Sequence, residues 1–202
     1  MSIELRLTDK HVDLVAERID VALRTGRLPD SSLVARRLGA VERIFVASPE
    51  YLRSRHAPTT LGDLDDHDLI LLGGTLEPQS IALQASGGAV DCALRPRMVV
   101  DNAEAALRAS RSDVGIALLP LGVAADDLLS GRLVRVLGDC RQDSGAFHVV
   151  FPSNRHMPAA QRAFIDHAVA ERRLCWRVTP KQQQCRLGPL SGEASSRLDQ
   201  LG

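Results

Sequence analysis

Aromatic side chains are scarce in this chain: four Phe, one Tyr and one Trp among 202 residues. That excludes a core built on ring stacking and leaves Leu, Val, Ile and Ala, which suits α/β layers better than an all-β sandwich. Net charge is absent as well, with 25 Lys and Arg against 25 Asp and Glu. No basic field therefore marks this stretch as an autonomous nucleic-acid binder. No apolar run approaches the ~18 residues that a membrane span needs. Cys92, Cys140, Cys175 and Cys185 form no CxxC pair, so the spacing of a structural zinc site is missing. With no leader sequence in view, free thiols in a reducing cytoplasm are the expectation. GxSxG, Walker, dinucleotide-binding and HExxH motifs are also missing, so neither cofactor nor metal is expected.

What is present is an apolar content of 45 %, enough for a packed core, laid out as alternating strand and helix patterns. Ile3, Leu5 and Leu7 alternate with Glu4 and Arg6, the period of a half-buried strand. Val12, Val15, Ala16 and Ile19 then mark one face of a helix, with Asp9 as its cap. Residues 19–24 read as a strand buried on both faces, broken at Thr25-Gly26, with a turn at residues 29–32 and a second strand over 32–38. Residues 41–47 form another strand, ending at Ser48-Pro49, where proline starts a short helix. A capped half-turn is expected over 58–64 and a strand over 69–72.

Residues 73–88, rich in glycine, carry one weak strand near 81–83. Strands over 97–100, 114–120, 133–137 and 147–151 and helices over 103–110, 122–129 and 159–172 complete the pattern. Such alternation predicts an α/β fold with largely parallel sheets. After residue 173 apolar periodicity stops, and 174–202 reads as a flexible tail.

The stretch over 13–38, DLVAERIDVALRTGRLPDSSLVARRL, carries the strongest signal. It closely resembles the effector-binding domain of LysR-type transcriptional regulators. VASPEYL, VDNAEAALRAS, VGIALLP, GRLVRVL and HVVFPSNRHMPAAQRAFIDH resemble later segments of that domain in the same order. The resemblance covers residues 1–173. It implies two Rossmann-like lobes of the type II periplasmic-binding-protein architecture, lobe I over about 1–68 and 145–173 and lobe II over about 69–144. Arg111, Ser112 and Asp113 depart from the small residues that usually lead into the strand after them.

Ligands in such folds sit at the carboxyl ends of strands, in the cleft between lobes. Thr8, Arg24, Thr25, Gly26, Ser48, Asp101 and Asn102 are therefore the candidate effector-binding residues. Helix N-termini and one arginine would favour a small anionic effector. Each candidate also has a plain reading. Thr8, Asp101 and Asn102 can be helix caps, Arg24 an ion-pair partner, and Ser48 a turn former. His67, inside LDDHD, invites a metal or general-base reading, but neighbouring strand residues point to opposite faces and do not converge on one ion. His11, His56, His148, His156 and His167 have no partner spacing and read as surface or helix-face residues.

A complete relative would add a helix-turn-helix, a linker helix and a first effector-domain strand and helix before Ile3. On the resemblance, the first lobe is expected to be incomplete, with DNA reached only through the missing N-terminal part. Pairing with a second copy or with an intact relative would be weakened. A sheet lacking a central strand leaves its neighbours with unpaired backbone groups or forces them into a new register. The reading is thus a cytoplasmic small-molecule sensor domain and not an enzyme. The rivals are a stand-alone two-lobed solute-binding protein and a small hydrolase.

Overall fold

The computed structural model describes residues 2–8, 12–26, 33–153 and 157–170. The expected cap at Asp9, the turn at 29–32, His11, His156 and the tail over 174–202 with Trp176, Cys175 and Cys185 lie outside the described residues. Among the described residues nine strands are formed: β1 (Ala22–Gly26), β2 (Leu33–Ala47), β3 (Leu69–Leu72), β4 (Gln79–Ala85), β5 (Gly88–Leu94), β6 (Pro96–Val100), β7 (Ile116–Pro120), β8 (Val134–Arg135) and β9 (Gln142–Pro152). Four helices join them: α1 (Pro49–Arg55), α2 (Ala103–Arg111), α3 (Leu121–Leu129) and α4 (Ala159–Ala170), with a 3-10 turn at Gly62–Asp66.

One sheet runs in the order β1-β9-β2-β7-β3-β6, with β8 paired to β2 beside it, while β4 and β5 make a separate hairpin. The β3–β6 and β3–β7 pairs are parallel. The β1–β9, β2–β9, β2–β7 and β2–β8 pairs are antiparallel, so the expected largely parallel sheet is corrected to a mixed one. Strand-helix alternation in sequence predicts crossovers between neighbours. Here β2 and β9 instead find each other about a hundred residues apart and set the direction of most of the sheet.

Three apolar clusters hold the layers. Phe45, Ala47, Leu69, Leu71, Ile116 and Leu118 pack on Tyr51, Leu64 and the hairpin's Leu83 and Leu94 on one face. Ile44, Val46, Ile70, Ala117 and Leu119 pack on α2 and α3 on the other face. Leu38, Val149 and Phe151 receive Ile165 of α4 nearer the β1 edge. Phe45, Ala47, Tyr51 and Leu64 therefore share a core with residues 69–136, so packing is continuous across position 68, where a lobe boundary was expected.

Local signals account for the helix starts. Ser48 Oγ accepts the Tyr51 N–H at 3.1 Å and Pro49 opens α1. Asn102 Oδ1 accepts the N–H groups of Glu104 and Ala105 at 2.9 and 3.1 Å and caps α2. Within the capped half-turn, Asp63 accepts both the N–H and hydroxyl of Thr59 and of Thr60. These bonds, led by the Thr59 N–H, hold its carboxyl well below the usual carboxylate range.

Several expected elements differ. Residues 2–8 form no ladder, and Ile3, Leu5 and Leu7 are exposed, Leu7 at 87 %. Their alternation has no partner strand among the described residues. Residues 14–18 make turns in place of a helix: Asp13 Oδ1 accepts the N–H groups of Val15 and Ala16, and Arg18 enters the left-handed region at φ 54°. Leu14, not Val15, is the residue buried there.

β1 starts three residues later than expected, includes Thr25-Gly26, and is an edge strand exposing Leu23. The two strands expected over 32–38 and 41–47 are one, β2, with register shifts at Leu38 and Val41. The weak strand near 81–83 is one of the two seven-residue strands of a hairpin, because β5 pairs with it along its whole length. The strand expected over 133–137 shrinks to β8, whereas that over 147–151 lengthens into β9.

The start of β7 depends on a close approach. Ile116 N donates to the Asp68 carbonyl at 2.9 Å, and a Cβ on buried Gly115 would overlap that same oxygen. Because the obstacle is backbone, Gly115→Ala is expected to lower the unfolding free energy by about 3 kcal/mol, the upper range for overpacking. Gly87→Ala, with open space around its Cβ, should stay within about 0.5 kcal/mol. Urea denaturation of both variants checks this.

Candidate functional site

In antiparallel pairs, directly opposed residues project to the same face. Arg24 of β1 opposes His148 of β9, and Arg37 of β2 opposes the same His148. Two arginines thus flank one histidine in a row across three strands. Two residues along, Gly26, Ala146 and Ala40 form a parallel row on that face. Side chains there end at Cβ or lack it. Above this floor lies an open hollow of about 460 Å³, lined by Gly26, Arg37, Ala40, Asp143, Gly145, Ala146 and His148. The alternate residues Phe147, Val149 and Phe151 face α4 and belong to the core on the opposite side.

The hollow exists because the strands are irregular at this point. Between the pairs Ala40–Ala146 and Glu42–Asp143, β2 has one residue and β9 has two. Such an excess re-aims the side chains beyond it. Asp143 and Ala146, three apart and so expected on opposite faces, both line the hollow. Gly145 makes the turn possible with φ 86° and donates its N–H to Asp143 Oδ1 at 2.9 Å. A Cβ on Gly145 would stand 3.3 Å from the Gly26 backbone, so two glycines hold β1 against β9.

The polar inventory is unbalanced. His148 Nδ1 is buried and has no hydrogen-bond partner among the described residues. Arg24 donates to the Val12 carbonyl, which ties the turn at 14–18 to β1. Arg37 and Asp143 form no ion pair with each other or with any other described residue. Unspent donors beside a small apolar floor suit an anion carried on an organic body.

The expected site residues divide accordingly. Gly26 lines the hollow and Arg24 stands in its basic row. Thr25 opposes Phe147 and lies on the other face. Thr8 is exposed in the extended segment 2–8. Ser48 is buried, caps α1 and donates to Asp113; it lies eight residues past Ala40, roughly 27 Å along the strand. Asp101 and Asn102 follow β6, five strands from β1 and so roughly 24 Å of sheet away. The sheet does not bring Thr8, Ser48, Asp101 and Asn102 together with Arg24 and Gly26. His148, read from the sequence as a surface or helix-face residue, lies on a strand and lines the hollow; its register opposite two arginines is the signal that a linear reading lacks.

The histidine within LDDHD has a structural setting. Tyr51 Oη lies 3.2 Å from His67 Nδ1 and accepts the Asp68 N–H at 3.0 Å. Asp68 sits between Arg55 and Arg97, each 3.3 Å away. No group of three or more His, Cys, Asp and Glu side chains suited to a metal ion occurs among the described residues. No helix among them is long and apolar enough to cross a membrane.

Residues 1–173 match the family described as the LysR substrate binding domain. An uncharacterized HTH-type transcriptional regulator of Haemophilus influenzae is 32 % identical over 158 residues, which cover 78 % of this chain and 55 % of that protein. The full-length Vibrio cholerae virulence activator AphB, a member of the LTTR protein family, superposes with a TM-score of 0.71 at 32 % identity, covering 84 % of this chain and 57 % of AphB. The regulatory domain of CrgA from Neisseria meningitidis gives 0.68 at 27 % identity, covering 78 % and 77 %. The chain spans about half the length of the full regulators it matches.

Burial lowers the pKa of His67 first, and the Arg55 charge lowers it further. The unfolded chain therefore binds the proton more readily. Stability should be complete above the ordinary histidine range near pH 6.5 and fall as pH drops through it toward the depressed folded value. Urea unfolding from pH 7.5 to 5.5 measures the slope, and His67→Gln should flatten it; an equally steep slope in the variant would assign the effect elsewhere.

Proposed function

The chain belongs to the LysR substrate-binding-domain family, a family of transcriptional regulators with the two-lobed periplasmic-binding-protein-like fold, and on that premise we propose that its hollow is the effector site of a cytoplasmic sensor. The carrying observation is the Arg24–His148–Arg37 row beside the floor of Gly26, Ala146 and Ala40. Arg37 would receive the anionic group beside the His148 ring, and the apolar body would lie on the floor. We also propose that the lobes divide within β2 and β9, near their register shifts. The α4 cluster then belongs to one lobe and the other two clusters to the second.

In this reading an effector acts by binding one lobe arrangement more tightly than another. DNA is reached through the helix-turn-helix part of a longer regulator, with a second copy as the expected partner. The relatives matched are transcriptional regulators, which disfavours the stand-alone solute-binding reading. Nothing in the hollow pairs a nucleophile with a base, so the enzymatic reading gains no support from it.

A thermal-shift series with acetate, benzoate, hexanoate and succinate tests the site. A ligand at one hundred times its Kd stabilises by about 2.7 kcal/mol, a melting-temperature rise of about 5–10 °C for a domain of this size. Arg37→Gln removes an exposed guanidinium without touching the core and should abolish the rise. An equal rise in the variant, or none with any of the four in the native chain, would overturn the assignment.

A further inference from the structure

The hollow carries charge of both signs, at opposite ends. Arg37 and His148 mark one end and Asp143 the other, with the side-chain-poor floor of Ala40, Ala146 and Gly26 between them. The irregular stretch of β9 puts Asp143 there, since in regular register it would face away from Ala146. The Gly145 N–H occupies Asp143 Oδ1, and no described residue donates to Oδ2. The acidic group is therefore held in place by its own backbone while one oxygen remains available.

From this arrangement we infer that the effector is an amino carboxylate whose two charged groups are several bonds apart, with its carboxylate on Arg37 and its ammonium on Asp143. The inference rests on the effector-site reading above and narrows it. About four residues of strand, roughly 13 Å, separate the His148 and Asp143 rows. Extended side chains at each end leave a span that the adjacent charges of an α-amino acid do not bridge. A simple monocarboxylate satisfies only the basic end. A diacid would bring like charge against Asp143.

Calorimetric titration of the full chain with 6-aminohexanoate and with hexanoate separates these possibilities. The two probes share a carboxylate and a chain length and differ in the ammonium group. Asp143 is exposed, so its contribution is that of a solvated ion pair, and 6-aminohexanoate should bind about three- to fivefold more tightly than hexanoate. Asp143→Asn keeps the oxygen that accepts from Gly145 and so preserves the strand. It should reduce the preference below about twofold, with hexanoate still bound.

Equal binding of the two probes by the native chain, or a preference that survives Asp143→Asn, overturns the amino-carboxylate inference while leaving the anion site standing. Failure of both probes to bind, or binding of both that Arg37→Gln does not weaken, overturns the effector-site reading itself and this inference with it.

Discussion

Pairing between β2 and β9 is the constraint on which the rest of the structure depends. The fifteen residues of β2 extend through roughly 50 Å and contribute to all three apolar clusters. Leu38 reaches the core under α4, whereas Ile44 and Val46 face α2 and α3, and Phe45 and Ala47 face the hairpin. β9 closes the same span from the other end of the chain. Closing a loop of about a hundred residues costs conformational entropy that only extensive burial offsets. The ladder and the three cores therefore stabilise one another, and neither half of the chain has a complete core without the other.

The same pairing decides where the chain can be irregular. A sheet buried on both faces tolerates few register errors, because one step moves every side chain to the opposite face. Both shifts in the β2–β9 ladder fall between Arg37 and Glu42, where one face of the sheet is open. The shift at Leu38 turns an apolar residue into the α4 core, and the one opposite Val41 turns Asp143 toward the hollow. Past the shifts, strict alternation of Ile44, Phe45, Val46 and Ala47 resumes, since both faces there are covered.

Features set by a few neighbouring atoms were legible in the sequence. Ser48-Pro49 opening α1 and Asn102 opening α2 need only local hydrogen bonds or a fixed φ. Features that need a distant partner were not legible. Ile3, Leu5 and Leu7 have the alternation of a strand, yet a strand exists only where another accepts its hydrogen bonds. The helix expected over residues 12–19 is too short to stand on propensity, and Asp13 captures the N–H groups that would begin it. Arg24 and Gly26 of the proposed site are legible as candidates because they end a strand. Arg37, His148 and Asp143 are not, because neither the opposition of Arg37 to His148 nor the irregularity beside Asp143 leaves a mark in linear spacing.

The basic row also has an energetic meaning. Like charges side by side on a sheet destabilise it, by about 0.2–1 kcal/mol for a directly opposed pair. Here Arg24 and Arg37 are held two strand spacings apart, roughly 10 Å, with His148 between them and its Nδ1 unpaired. Leaving a buried polar atom without a partner costs about 1–3 kcal/mol more. The floor beside this row is Gly26, Ala146 and Ala40, so no bulky side chain of the three strands stands there. Breaks in local consistency of this kind concentrate at functional sites, where a ligand completes what the fold leaves open. On the proposed reading, an anion in the hollow would neutralise one of the two guanidinium charges, and part of the stability that their proximity withholds would reappear as binding free energy.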